Sequence, residues 1–346
     1  MDQEYTRRLE KIEVELERQL PKDPQSGWAQ DIFTETGKKA GTESINTLLA
    51  PLGDILSRGG KRWRPLLMTL VCEALGGEDA ALPLSPLVEF SHNASLIHDD
   101  IEDESDERRG KPAIHKIYGV DTAINSGSFF YFLSSCCIET CGLKNKERIY
   151  KFWTDCMRTL HLGQAMDISW HRNISFIPEI NDYFLMCGMK TGGLARLAAE
   201  LGAFAANAPE AALRQLGEAA EKLGIGFQIL DDVKNLTTGI PGKKRGDDMV
   251  EGKKSLPILL YLHKYPEKRE LVFRCFLAAR TGGAAVPETE VLIQTLILSG
   301  VLTEAEEKGL SLIQEARGVF GSREFSGCPV SEKGSDLLDG FIDLIS

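Results

Sequence analysis

The sequence predicts an all-α protein, and three observations carry that reading. Apolar residues recur at three- and four-residue spacing in segments such as ESINTLLAPLGDILSR, RPLLMTLVCEAL and EAALRQLGEAAEKLGIGFQIL, the period of one helix face. Strand-like alternation bounded by Asn-Gly or Asp-Gly turns is scarce, so a βαβ arrangement gets little support. The breaks are of connector length: PKDPQSG (21–27), LGGEDAALPLSP (75–86), NAPE (207–210), TTGIPGKKRGD (237–247) and RTGGAAVPE (280–288). The pattern predicts a single domain over residues 1–346, with about a dozen helices. Residues 1–40 would be an N-terminal helical extension, and residues 265–346 the C-terminal helices of the same domain.

Composition narrows the classes. With 346 residues, 42% of them hydrophobic and 26% charged, the chain can bury a core without disulfides or structural zinc. A formal net charge of −11 argues against general nucleic-acid binding, which needs clustered Lys and Arg. The eight cysteines include no CxxC pair, so Cys136, Cys137 and Cys141 read as buried thiols rather than a metal or redox site. No run approaches the ~18 apolar residues of a spanning helix. The N-terminal segment is charged and amphipathic without an apolar h-region, and a cytoplasmic protein is expected.

Along the chain, the first helix is the amphipathic MDQEYTRRLEKIEVELERQL. After the helix at 43–58, the stretch RGGKRWRP (58–65) places Lys61 and Arg64 at the start of the next one, with glycines freeing the backbone. VEFSHNASLIH (88–98) is apolar-periodic and runs into a dense group of carboxylates, HDDIEDESDE (98–107), followed by Arg108 and Arg109. On a helix Asp99 and Asp103 share a face and repel. A hard cation such as Mg²⁺ would compensate them, since it takes oxygen ligands and is held by one or two carboxylates plus substrate phosphates. From this motif alone, a solvated acidic helix end reads equally well.

A second apolar helix, LGIGFQIL (223–230), ends in another aspartate pair, Asp231-Asp232-Val-Lys-Asn235. The C-terminal end of a helix is a poor place for carboxylates, because the dipole is negative there, and bound divalent ions would relieve the strain. Basic residues accompany both pairs: Lys61, Arg64, Arg108 and Arg109, the Lys190-Thr191-Gly192-Gly193 segment, and Lys243 and Lys253. Carboxylates and cations together point to metal-chelated diphosphates. Neither GxxxxGK[ST] nor GxGxxG is present, so a nucleotide is not the obvious owner of those phosphates.

The ordered set GGKRWRP, HNASLIHDDIED…RRG, KTGG, GFQILDDVKN and GDDMVEGKKSLP, over residues 58–257, resembles the trans-isoprenyl diphosphate synthases. HNASLIHDDIEDES, IYGVDTAINS, GQAMDISW and DDVKNL place it nearest the eukaryotic-like geranylgeranyl diphosphate synthases. The resemblance implies an isoprenoid synthase fold around a deep central cavity, a homodimer, and Mg²⁺-dependent 1′–4 condensation of isopentenyl diphosphate with an allylic diphosphate. It implies that Asp99 and Asp103 bind two Mg²⁺ and Asp231 a third, with Asp100 and Asp232 in support. Lys61, Arg64, His92 and Arg109 match its isopentenyl diphosphate site. Arg108, Lys190, Thr191, Gln228, Lys243 and Lys253 match its allylic site. The Lys190 carbonyl, Thr191 hydroxyl and Gln228 amide oxygen would lie near the carbocation, with departing pyrophosphate as proton acceptor. The family's commonest second motif ends in aspartate, whereas Asn235 stands here with Lys234 beside it.

Product length should be set along the helix of the first motif, where residues one turn before Asp99 would line the growing chain. Ala94 and Ser95 are small there, which disfavours a C15 product in this family. Tyr131, Phe132 and His161 match positions that close the pocket in the C20 subgroup, although Phe129 to Phe132 also read as a core aromatic stripe. A C20 product is expected, with longer polyprenyl chains as the main competitor. A terpene cyclase would not need the Lys61, Arg64 and His92 set, and a non-catalytic partner subunit would typically lack one aspartate pair. His98 and His115 read as structural, and LTEAEEKGLSLIQEARGVF (302–320) as a helix packed on the core.

Overall fold

The computed structural model describes residues 3–22, 28–239 and 244–345; Lys243 lies outside them. The longer helices follow in order: α1 Gln3–Gln19, α2 Thr42–Ser57, α3 Trp63–Ala74, α4 Ser85–Glu102, α5 Val120–Ser135, α6 Lys146–Arg172, α7 Ile180–Cys187, α8 Gly193–Ala205, α9 Glu210–Thr237, α10 Leu256–Lys264, α11 Arg269–Gly282, α12 Pro287–Leu298, α13 Val301–Phe320 and α14 Glu332–Ile345. The all-α expectation holds. Several starts are set by proline in the first turn, as in α4, α10 and α12, where a missing N–H costs nothing.

The only strands among the described residues form two hairpins, β1 Glu107–Arg108 with β2 Lys111–Pro112, and β3 Glu324–Phe325 with β4 Cys328–Pro329. Both turn on two residues at positive φ, Arg109–Gly110 and Ser326–Gly327, the geometry of a tight two-residue hairpin corner. The first hairpin departs from the sequence reading, which recognised no strand beyond the first acidic motif.

The chain divides into two compact units. The first comprises residues up to Thr154, Leu197–Gly217 and the chain from Gly321. Its core includes Leu66, Leu70, Val88 and the Phe90–Phe130 ring pair, with centroids 4.7 Å apart. A buried polar bridge joins α4, α5 and α6: Ser91 Oγ lies 3.1 Å from Ser134 Oγ and accepts from Trp153 Nε1 at 3.0 Å. The second unit comprises Asp155–Arg196 and Glu218–Phe320. Its core is built on Trp170, Tyr183, Ile229, Leu256, Phe276 and Leu292. No helix among the described residues is long and apolar enough to cross a membrane.

Candidate active site

In the first unit, α4 carries the first acidic motif into its last turn, and Asp103 forms the C-terminal cap. Asp100 is fully buried, whereas Asp99 and Asp103 are half-buried. Arg108 on β1 donates from Nε to Asp100 Oδ1 at 2.9 Å and from Nη2 to the same oxygen, and its Nη2 lies 3.8 Å from Asp99 Oδ2. Burial opposes the Arg108 charge, but the Asp100 bond and the Asp99 and Asp103 charges outweigh it, and its pKa is raised. Arg108 was expected to serve an allylic diphosphate; here it also neutralises the buried carboxylate. The hairpin is braced by Arg58, which pairs with Asp54 and donates to the carbonyls of Arg108 (3.1 Å) and Pro112 (2.9 Å).

Above this motif lies a cationic cluster. Burial first, and then the charges of Arg64, Arg109, Arg108 and Arg62, hold His92 well below the usual imidazole range. Of these cations, Arg62 is paired with Glu13 and Glu89 and Arg108 with Asp100, whereas Arg109 bonds to neutral oxygens and retains charge to offer an anion. Arg64 stacks 4.4 Å over the Trp63 ring, and Lys61 Nζ donates to the Ile345 carbonyl at 2.8 Å. Arg109 bonds to neutral oxygens: Gly59 O, Ile55 O at 3.3 Å and Asn93 Oδ1 at 3.3 Å. Gly60 permits this, since at φ +137° a Cβ would come within 2.9 Å of Arg109 Nη2. Arg62, which the sequence reading did not single out, is 4% exposed and holds the same bend, bonding Glu13, Glu89, Leu56 O and Gly59 O.

In the second unit α9 runs on past Asp231 to Thr237, so the second motif lies inside the helix rather than at its end. Asp231 is exposed and Asp232 buried. Three hydrogen bonds link Thr191 to Tyr183 in series. Thr191 Oγ1 donates to Gln228 Oε1 (3.0 Å), Gln228 Nε2 to Asp232 Oδ1 (2.9 Å), and the Tyr183 hydroxyl to Asp232 Oδ2 (2.7 Å). Thr191 and the residues around it form a π-helical turn, Gly188–Gly192, a feature frequent at functional sites. Lys190 Nζ donates to Asp167 Oδ2 at 2.6 Å, and Lys253 Nζ lies 2.7 Å from Glu251 Oε2 and 3.9 Å from Asp248 Oδ1. Asn235 is buried and accepts from the Asp248 N–H at 3.3 Å, holding the short Asp247–Glu251 helical turn. Tyr183, Asp167, Asp248 and Glu251 were not singled out from sequence. Tyr183 stands seven residues before Lys190, and Asp167 lies inside GQAMDISW.

The carboxylates suit a hard divalent cation. Burial, followed by the charge of Asp248, pushes Asp232 up to about 7, with Tyr183 and Gln228 acting the other way. In both motifs the second aspartate is buried and hydrogen-bonded while the first is more open, which leaves Asp99, Asp103 and Asp231 as ligand candidates. Among the described residues no three His, Cys, Asp or Glu side chains form a metal cage on their own.

Around the product-length positions, Ala94 is buried and Ser95 half-buried, its hydroxyl donating to His92 O at 2.8 Å. Tyr131 stacks on His98 with centroids 5.8 Å apart, and burial pushes its phenol far up. Phe132 is 68% exposed, and His161, hydrogen-bonded at Nδ1 to Met157 O, is also exposed.

Helices that present carboxylates beside clustered Arg, Lys and neutral His define an enzyme class that handles diphosphates with metal ions. Residues 45–288 match the polyprenyl synthetase family model, and the chain belongs to that family of metal-dependent prenyltransferases. It is 38% identical over 226 residues to a geranylgeranyl pyrophosphate synthase, janG, of Penicillium janthinellum, covering 64% of this chain and 60% of that protein. It is 31% identical over 302 residues to the geranylfarnesyl diphosphate synthase of Aeropyrum pernix, covering 84% and 91%. The crystal structure of geranylgeranyl pyrophosphate synthetase from Pyrococcus horikoshii superposes with a TM-score of 0.81 at 25% identity, covering 98% and 97% of the two chains.

Proposed function

We propose that this protein condenses isopentenyl diphosphate with an allylic diphosphate, releasing pyrophosphate and yielding geranylgeranyl diphosphate. The observation that carries the reading is the cluster of Arg64, Arg108 and Arg109 next to the first acidic motif, where Arg108 is paired with Asp100 and Arg109 bonds to neutral oxygens. A second anionic substrate needs such a cluster, and an enzyme that only ionised one diphosphate would not.

On this reading Lys61, Arg64, His92 and Arg109 bind isopentenyl diphosphate, while Arg108, Lys190, Thr191, Gln228 and Lys253 serve the allylic diphosphate, as Lys243 would by resemblance. Asp99, Asp103 and Asp231 would hold three Mg²⁺, with Asp100 and Asp232 fixing their orientation. Bound Mg²⁺ supplies electrophilic stabilisation of charge on the leaving diphosphate. Arg108, Lys190 and Lys253 place further fixed positive charge there. The Thr191 proton is committed to Gln228 Oε1, so the hydroxyl's lone pairs remain to face the allylic cation. Asp232 anchors the Gln228 amide, keeping its oxygen toward Thr191. Proton loss from the condensed product falls to pyrophosphate. We also infer that the chain works as a cytoplasmic homodimer, and that Ala94 and Ser95 admit a chain beyond C15, with Tyr131, Phe132 and His161 nearer its end.

The test is a product assay with Mg²⁺, isopentenyl diphosphate and, separately, dimethylallyl, geranyl and farnesyl diphosphates. A dominant C20 alcohol after dephosphorylation supports the reading. Much longer chains would retain the chemistry and overturn the length. Absence of turnover with every primer would overturn the function.

A further inference from the structure

Beside Lys253 stands a second lysine that no step above uses. The two side chains part: Lys253 Nζ reaches Glu251 Oε2 at 2.7 Å, whereas Lys254 Nζ turns inward and donates to the Gly252 carbonyl at 2.7 Å. Lys254 is 3% exposed, and its ammonium lies 4.8 Å above the Phe276 ring. A buried cation is unfavourable unless neighbouring groups hold it, and a Met of similar length would fill the same space without a charge. Burial first, and then the Arg280 charge, pull the Lys254 pKa down to about 8, with Asp167 opposing them.

Arg280 does the matching work one residue earlier. Its Nη2 donates to Glu251 O at 3.0 Å and to His171 O at 2.7 Å. Two cations on α10's approach and on α11 therefore grip the successive carbonyls of Glu251 and Gly252, immediately before Lys253. The turn between them needs glycine: Gly252 has φ +81°, and a Cβ there would come within 2.7 Å of Arg280 Nη2. With these carbonyls fixed, the direction in which the Lys253 side chain leaves the backbone is fixed too.

We propose that Lys254 is a positioning residue for Lys253: its grip on the Gly252 carbonyl, shared with Arg280 on Glu251, sets the angle at which Lys253 meets the allylic diphosphate. The inference rests on the reading that Lys253 binds that diphosphate.

The test is a double-mutant cycle of K253A and K254M in the full-length protein, with farnesyl and isopentenyl diphosphates as substrates. K254M is expected to raise KM for farnesyl diphosphate about tenfold, with KM for isopentenyl diphosphate changing less than about twofold. In the K253A background, the same change is expected to add less than about twofold. Full additivity in the double mutant, or an equal rise in both KM values, would overturn the proposal. If K253A alone leaves the farnesyl diphosphate KM unchanged, the assignment of Lys253 fails and the inference falls with it. Should K254M not yield folded protein, K254R enters the same cycle. Its planar head changes the reach to Gly252 O, and a smaller shift confined to the allylic KM and absent in K253A is expected. An effect of K254R that persists undiminished in K253A would overturn the proposal.

Discussion

The Tyr183 hydroxyl donates to Asp232 Oδ2 at 2.7 Å, and both side chains are buried. It is one of two donors on a carboxylate that burial and Asp248 push up to about 7. Replacing Tyr183 with Phe leaves the Asp232 charge with Gln228 alone. Stability at pH 8 should fall by about 1–3 kcal/mol, measured by urea unfolding. Because Asp232 orients Gln228, kcat should fall as well.

Asp232 also gives a stability signature that depends on pH. Its folded pKa lies above the ordinary value of 3.8, so the folded state holds this proton more tightly than the unfolded chain. The stabilising contribution is complete below pH ~4 and is lost as pH rises toward ~7. In chelator, D232N removes the titration. Its stability relative to the wild type should therefore improve between pH ~4 and pH ~7 and level off above that. A difference that stays flat with pH would show that Asp232 is ionised throughout.

Arg108 and Asp100 should behave as a unit. R108Q strands a fully buried carboxylate and should cost about 3–5 kcal/mol. D100N added to R108Q should restore much of that loss, while R109Q, whose bonds go to neutral oxygens, should cost far less. Urea midpoints of the four proteins decide it.

Gly60 offers a test confined to the cationic cluster. In G60A the new Cβ would meet Arg109 Nη2 at 2.9 Å on a backbone at φ +137°, so the guanidinium must move. Isopentenyl diphosphate KM should rise about tenfold, with the allylic KM changing little.

The sequence showed its helices and its aspartates for a physical reason: both follow a local period. The α4 and α9 segments repeat apolar residues every three to four positions up to their aspartate pairs, which is visible without coordinates, although α9 continues past its pair to Thr237. The hairpin after Asp103 was hidden because two-residue strands carry no alternation, and its corner depends on positive φ at Arg109, a residue not usually found there. Arg62 was hidden among its neighbours. RGGKRWRP offers four cations of similar appearance, and only the fold decides that Arg62 points to Glu13 and Glu89. Tyr183 was hidden because an aromatic on an apolar helix face reads as core, which it is, and its hydroxyl adds the second role.

Ser95 is where product length should be easiest to change. It lies four residues, one helical turn, before Asp99 on α4, and its hydroxyl is occupied by the His92 carbonyl. Only a small surface is therefore presented at that position. Ala94, its neighbour, is fully buried and has no room for a ring, so A94F should destabilise the fold before it informs on length. Ser95 is half-buried and can take a larger side chain with less disruption. S95F is expected to shorten the dominant product from C20 to C15, with farnesyl diphosphate accumulating and losing its value as a primer. Turnover with dimethylallyl diphosphate should persist, because the carboxylates and the cationic cluster are untouched. Sizing the dephosphorylated alcohols from both proteins, with each primer, gives the answer. An unchanged C20 product from folded, active S95F would move the chain's path off this face of α4.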